Sequence, residues 1–201
     1  SWMKQKDVDA LFGIKAVAPE VRPYDFLSPP RLPRERRVVL QAALERLVPG
    51  VASLLSARLR RAVEVVAGEP ETATAGDLVH ALPTPCVCFA FGVGATHGLA
   101  ELGLPFSLYV VERMFGGEGQ AQWLERALTP LEQSALLGVA EKLPGLLRDA
   151  FRLPAIGTEL GACESDPSSL PLRARDQAMV VVRLELRAPG LDTHWTLALP
   201  L

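Results

Sequence analysis

Eight consecutive residues, Cys86-Val87-Cys88-Phe89-Ala90-Phe91-Gly92-Val93, carry no charge. A strand sends alternate side chains to opposite faces, so an unbroken apolar run suits a sheet covered on both of them. Residues 97–102 follow as its hairpin partner. The rest of the chain must supply the covering layers. Leu40, Leu44, Leu47, Val51, Leu54, Leu55 and Leu59 recur with helical period after a start at Leu32-Pro33, where proline suits the first turn. Pro49-Gly50 interrupts this stripe, and an interior proline costs roughly 3 kcal/mol, so a kink or brief break is expected there.

The remaining elements follow from pattern. Residues 61–68 are β-branched and read as a strand, and Thr74 to Leu82 reads as a short helix ended by Pro83 and Pro85. Ser107 to Phe115 reads as a second long helix, with Leu108, Val111 and Phe115 on one side, stopping at Gly116-Gly117-Glu118-Gly119. Thr129-Pro130-Leu131-Glu132 is a helix start: a threonine cap, proline in the first turn, and glutamate three residues after the cap. Leu131, Ala135, Val139, Leu143, Leu146 and Ala150 continue that stripe, with a kink expected at Pro144. At the end, Val180, Val182, Leu184 and Leu186 alternate with Val181, Arg183, Glu185 and Arg187. Ala188-Pro189-Gly190 turns the chain, and Trp195, Leu197 and Leu199 alternate on the return strand. Helices alternate with hairpins, which predicts an α/β domain with a mixed, largely antiparallel sheet rather than a doubly wound parallel one. Its two halves are candidates for a pseudo-two-fold repeat.

Ahead of this domain, residues 1–13 form an island in which Val8, Leu11 and Phe12 fall on one helical stripe, with Asp7 and Asp9 near its start and Gly13 as a stop. So short a helix needs a groove to lie in. Residues 14–31 are a proline-rich linker, in which Tyr24 and Phe26 are expected to anchor onto the domain at 32–201.

Composition excludes several classes. The formal net charge is -2 and aromatics are 6%, which favours neither nucleic acid nor a base-stacking surface. No run of 18 apolar residues marks a membrane span. The three cysteines, Cys86, Cys88 and Cys163, do not make a disulfide framework and read as cytosolic, with Cys86 and Cys88 on one strand face as small buried groups. His80, His97 and His194 are scattered, so no metal site is expected. The 116–119 glycines follow a helix instead of opening one, the wrong context for a phosphate loop. No nucleophile sits beside a base, so no catalytic residue and no cofactor are expected. Glu132, Glu141, Glu159 and Glu164 are expected to be solvated.

Six segments nevertheless resemble one family in order and spacing. Asp7-Val8-Asp9-Ala10-Leu11-Phe12 resembles the N-terminal E-I-D-A-L-L segment of the flagellar motor switch FliM family. Tyr24-Asp25-Phe26 with Pro29 and Arg31 is similar to its Y-D-F-x-x-P-x-R entry. Leu54 to Arg60 resembles the end of its first helix. Asp77-Leu78 with Leu82-Pro83-Thr84-Pro85 resembles its F-L-x-S-L-P-x-P stretch. Phe115-Gly116-Gly117-Glu118-Gly119 is similar to F-G-G-x-G, and Leu128 to Gln133 to L-T-x-x-E-Q.

This resemblance implies a CheC-like three-layer α/β/α sandwich and a structural and signalling role in the flagellar switch ring, the C-ring, which controls direction of rotation. It implies a location in the cytoplasm at the flagellar basal body. Gly116, Gly117 and Gly119 would form the FliG-binding loop, with Met114 and Phe115 packing beneath. Asp7, Val8, Asp9, Leu11 and Phe12 would bind phosphorylated CheY. Neighbouring FliM copies are further partners, as is FliN through a C-terminal FliN-like domain expected to be absent here. Two rival readings are a scaffold of a related type III secretion sorting platform and a CheC-type phosphatase. The phosphatase needs glutamate followed three residues on by asparagine. The chain has no asparagine, and Ala135 follows Glu132 and Phe115 follows Glu112 at that spacing.

Overall fold

The computed structural model describes residues 31–117, 126, 128–172 and 174–201. The island at 1–13 and nearly all of the linker lie outside the described residues.

Helix α1 spans Arg34–Leu59 without interruption, so the break expected at Pro49 does not occur. Leu44, Leu47, Val51 and Leu55, on both sides of the proline, are buried. Burying each is worth about 1.5–3 kcal/mol, which exceeds the local cost of the missing N–H. By length and apolarity α1 would suit a bilayer, yet its apolar stripe is spent on the core of this domain.

Strands β1 (Glu64–Ala67) and β2 (Glu71–Thr74) lead into helix α2 (Ala75–Ala81). Thr74 caps α2 by accepting the Asp77 N–H. The hairpin β3 (Cys88–Val93) and β4 (Thr96–Leu102) follows, then helix α3 (Leu104–Met114). Helices α4 (Pro130–Ala140) and α5 (Leu143–Phe151), strand β5 (Ile156–Leu160), a 3-10 turn at Pro167–Ser169, and the long hairpin β6 (Ala178–Ala188) and β7 (Leu191–Pro200) complete the domain.

Pro144 does more than kink its helix. Its ring would meet the carbonyl of Ala140, and α4 ends there. Leu136, Val139 and Ala140 are buried on α4, whereas Leu131, expected in the stripe, is 64% exposed.

The seven described strands run in the order β1-β6-β7-β4-β3-β5, with β2 pairing on the other end of β6. Every pairing is antiparallel, so the mixed component expected of this sheet is absent among the described strands. Taken in chain order, β1, β3 and β4 of the first half correspond to β5, β6 and β7 of the second, and exchanging the members of each pair reverses the sheet order onto itself, which is the pseudo-two-fold repeat. The helix ends repeat as well. Arg60 after α1 and Arg152 after α5 both take the left-handed conformation, at φ 52° and 51°. Each is followed by an N–H returning to the last turn, Arg61 to Ser56 O and Leu153 to Arg148 O, before the chain enters β1 or β5.

The covering layers are unequal. Helices α1, α3, α4 and α5 bury one face around Trp195, Phe89, Phe91 and Phe106. Phe106 meets Trp195 edge-on, with ring centroids 5.2 Å apart. On the other face, α2 and the 3-10 turn cover Cys88, Ala90, Leu99 and Met179. The fold is therefore the expected three-layer α/β/α sandwich. Arg183, Glu185 and Arg187 of β6 emerge beyond that thinner layer and are exposed.

Candidate functional site

Helix α3 packs Phe106, Leu108, Tyr109, Val110 and Val111 inward. Its last residues leave the core. Met114 is 54% and Phe115 58% exposed, so they do not pack beneath the glycines as expected but stand beside them in solvent. By helical period they lie on the side of the buried Val110 and Val111, four residues earlier, so their exposure comes from their place at the last turn of the helix and not from its amphipathic pattern.

The glycines stop the helix by a defined motif. Gly116 takes φ +91°. Its N–H donates to Arg113 O at 3.3 Å, and the Gly117 N–H donates to Glu112 O at 2.8 Å. This pair of returning bonds satisfies the final carbonyls, and the left-handed residue between them favours glycine. Gly117 is constrained differently. A Cβ there would lie 2.5 Å from Glu112 Cγ and 3.1 Å from the Glu112 carbonyl oxygen. Its close approach is therefore to its own helix. Among the described residues, nothing lies within 4 Å of a Cβ at Gly116. Gly119 lies outside the described residues, as do Asp7, Val8, Asp9, Leu11 and Phe12.

Arg126 contacts the start of helix α4. Its Nη1 and Nη2 donate to Glu132 Oε2 and Oε1 at 2.8 and 2.7 Å, a two-pronged pair. The same carboxylate accepts the Thr129 N–H at 2.7 Å, while Thr129 Oγ1 accepts the Glu132 N–H at 3.3 Å. Glu132 is thus no solvated carboxylate. The Arg126 fork first, against the opposing effect of burial, and then the bonds to Thr129 hold its carboxyl down to about 2. The threonine–glutamate capping pair was legible in the sequence. The part of Arg126 was not, because a contact six residues away across a loop follows no period. Of the other three glutamates, Glu141 makes a solvent-exposed ion pair with Arg58 at 3.6 Å.

Glu132 faces Arg126 and Thr129, and Glu112 folds over Gly117, so neither is aimed at open space where a water could be activated. No group of three or more His, Cys, Asp or Glu among the described residues could hold a metal ion.

These features define a class: a three-layer α/β/α domain with an antiparallel sheet that presents a capped glycine turn and bare apolar side chains at one helix end. The family model described as flagellar motor switch protein FliM matches residues 33–201, and the chain belongs to that family. The flagellar motor switch protein FliM of Treponema pallidum (strain Nichols) is 27% identical over 167 residues, covering 82% of this chain and 48% of the relative. The chain spans about half the length of the curated relatives it matches. Among solved structures, a chain of the FliG-FliM complex from H. pylori superposes with a TM-score of 0.76 at 18% identity, covering 84% of this chain and 94% of that one. The FliM middle domain from H. pylori gives a TM-score of 0.72 at 16% identity, with the same coverage of both chains. At these identities the structural likeness establishes the fold.

Proposed function

We propose that this domain is a non-enzymatic component of the flagellar motor switch that docks FliG on the exposed end of α3, through Met114, Phe115, Gly116, Gly117 and Gly119. The observation that carries this reading is the exposure of Met114 and Phe115 beside a turn closed by its own hydrogen bonds. Large apolar side chains grouped at the rim of a rigid turn are what an interface anchors on. The turn needs no partner to hold its shape, so little ordering cost is left for binding. A FliG-FliM complex among the structural neighbours supports FliG as the occupant.

The wider role is part of the same proposal. Residues Asp7, Val8, Asp9, Leu11 and Phe12 capture phosphorylated CheY and raise its concentration near the domain. Neighbouring FliM copies and FliN, the latter through a FliN-like domain, complete the assembly at the cytoplasmic face of the basal body. Rotation direction is then a population shift between two ring states.

The test is a titration of purified FliG against the chain and its Phe115→Ser variant. An exposed side chain contributes little to folding, so the melting temperature stays the same. Binding weakens by roughly 30- to 150-fold, the equivalent of about 2–3 kcal/mol for withdrawing a buried phenyl ring. Unchanged affinity removes the α3 end from the account. In parallel, phosphorylated CheY binds the full chain and not a version starting at Tyr24; equal binding to both removes residues 7–12.

A further inference from the structure

A second feature lies on the opposite face of the sheet from α3. Where the thin α2 layer ends, a cleft of about 720 Å³ opens between α2 and the sheet, within the range of ligand-sized cavities. Its floor holds Glu101 of β4, which is only 2% exposed. Glu101 Oε2 is buried and makes no well-aligned hydrogen bond among the described residues, although His194 Nε2 of β7 lies 3.2 Å away. The other ring nitrogen, Nδ1, lies 3.0 Å from Arg183 Nη2. A guanidinium can only donate, so Nδ1 accepts and the ring hydrogen sits on Nε2. The imidazole thus stands between Glu101 and Arg183, the one cationic side chain among the described lining residues.

A buried carboxylate without a full cationic partner is costly unless something supplies one. The rest of the lining points the same way. Glu71 and Asp77 stand around the cleft with Glu69, which also borders a groove beside Arg34 and Arg37, and Glu185, which pairs with Arg187 at 3.1 Å. Leu78, Leu82 and Pro83 line the α2 side. An apolar wall above an acidic floor matches a side chain with a methylene stem and a charged head. The planar fork of a guanidinium suits a carboxylate better than a compact ammonium does.

We propose that this cleft is a binding site for an arginine side chain presented by a partner protein, with Glu101 as its charge partner. The site is separate from the α3 end, so neither proposal rests on the other.

The test uses the full 201-residue chain. The probe is N-acetyl-arginine N-methylamide, its neutral citrulline analogue is the control, and the readout is the His194 ring signals in proton–carbon correlation spectra. The arginine compound shifts these signals saturably and the citrulline compound does not. Glu101→Gln weakens binding by about tenfold or more, as loss of a charged hydrogen bond requires. Because Glu101 is buried, Glu71→Gln at the rim provides a second variant, which weakens binding by roughly threefold through a more solvent-screened charge and leaves the melting temperature unchanged. Equal shifts from the arginine and citrulline compounds, or no shift from either, overturn the proposal. Binding of free guanidinium ion as tight as that of the arginine compound also overturns it, because the apolar wall then recognises no stem.

Discussion

Glu132→Gln isolates the charge that clamps the chain at Arg126. The amide keeps an oxygen for the Thr129 N–H, so most of the helix cap survives, while the ionic fork to Arg126 at 2.7 and 2.8 Å is lost. The Arg126 side chain is 43% exposed and solvent screens it, which limits the fork to about 1 kcal/mol. Glu132→Ala removes the capping bond as well, adding about 1 kcal/mol. The expected losses at pH 7 are therefore about 1 and about 2 kcal/mol, read by urea unfolding of each variant. The carboxyl sits near 2 in the folded chain and near 4.5 once unfolded. Its contribution is thus complete above pH 4.5 and declines as pH falls toward 2. The gap between wild type and Glu132→Gln accordingly narrows at pH 3. Arg126→Ala in the Glu132→Gln background adds less than it does alone. A gap that is the same at pH 7 and pH 3 refutes the assignment of this stability to the ionised fork.

Two further outcomes follow from local geometry. Gly116→Ala costs about 1 kcal/mol in thermal unfolding, all of it from the backbone at φ +91°, because no atom of the described residues lies within 4 Å of the new methyl group; a D-alanine at the same position is close to neutral, and an equal loss from both refutes the reasoning. The half-buried Cys163 thiol is pushed up to about 11, chiefly by burial. Its alkylation by iodoacetamide at pH 7.5 is therefore on the order of a hundredfold slower than that of a free cysteine, since only the thiolate reacts; a rate equal to the free amino acid shows the thiol to be open to solvent.

What the sequence disclosed and what it concealed divide along a physical line. Periodicity located α1, the β3–β4 and β6–β7 hairpins and the capped start of α4, because burial of one stripe or one strand face is a local pattern. The same reasoning misjudged the two interior prolines. Pro49 lies within a helix whose buried residues flank it on both sides, and Pro144 lies where a second helix can start afresh. Leu131 points outward because it lies in the first turn of α4, on the side away from the arc that Leu136, Val139 and Ala140 bury. Strand β2 was missed because its short run, Glu-Thr-Ala-Thr, has no apolar alternation and owes its form to pairing with β6. At the candidate site, the glycine stop was legible as a motif. The exposure of Phe115, the Arg126 fork and the Glu101–His194–Arg183 array were not, because each depends on which distant elements the sheet brings together.

The strand order has a bearing on how the domain comes into being. β1 lies against β6 and β5 against β3, so each half of the chain lends a border strand to the other. A half on its own would leave hydrogen-bonding groups of its central hairpin bare and half of the large-layer core uncovered. The two halves are therefore mutual templates, and the chain has to acquire both before either is stable. Local melting at one end of the sheet strips a border from the half that began at the other, which ties the α3 turn and the α2 cleft into a single cooperative unit.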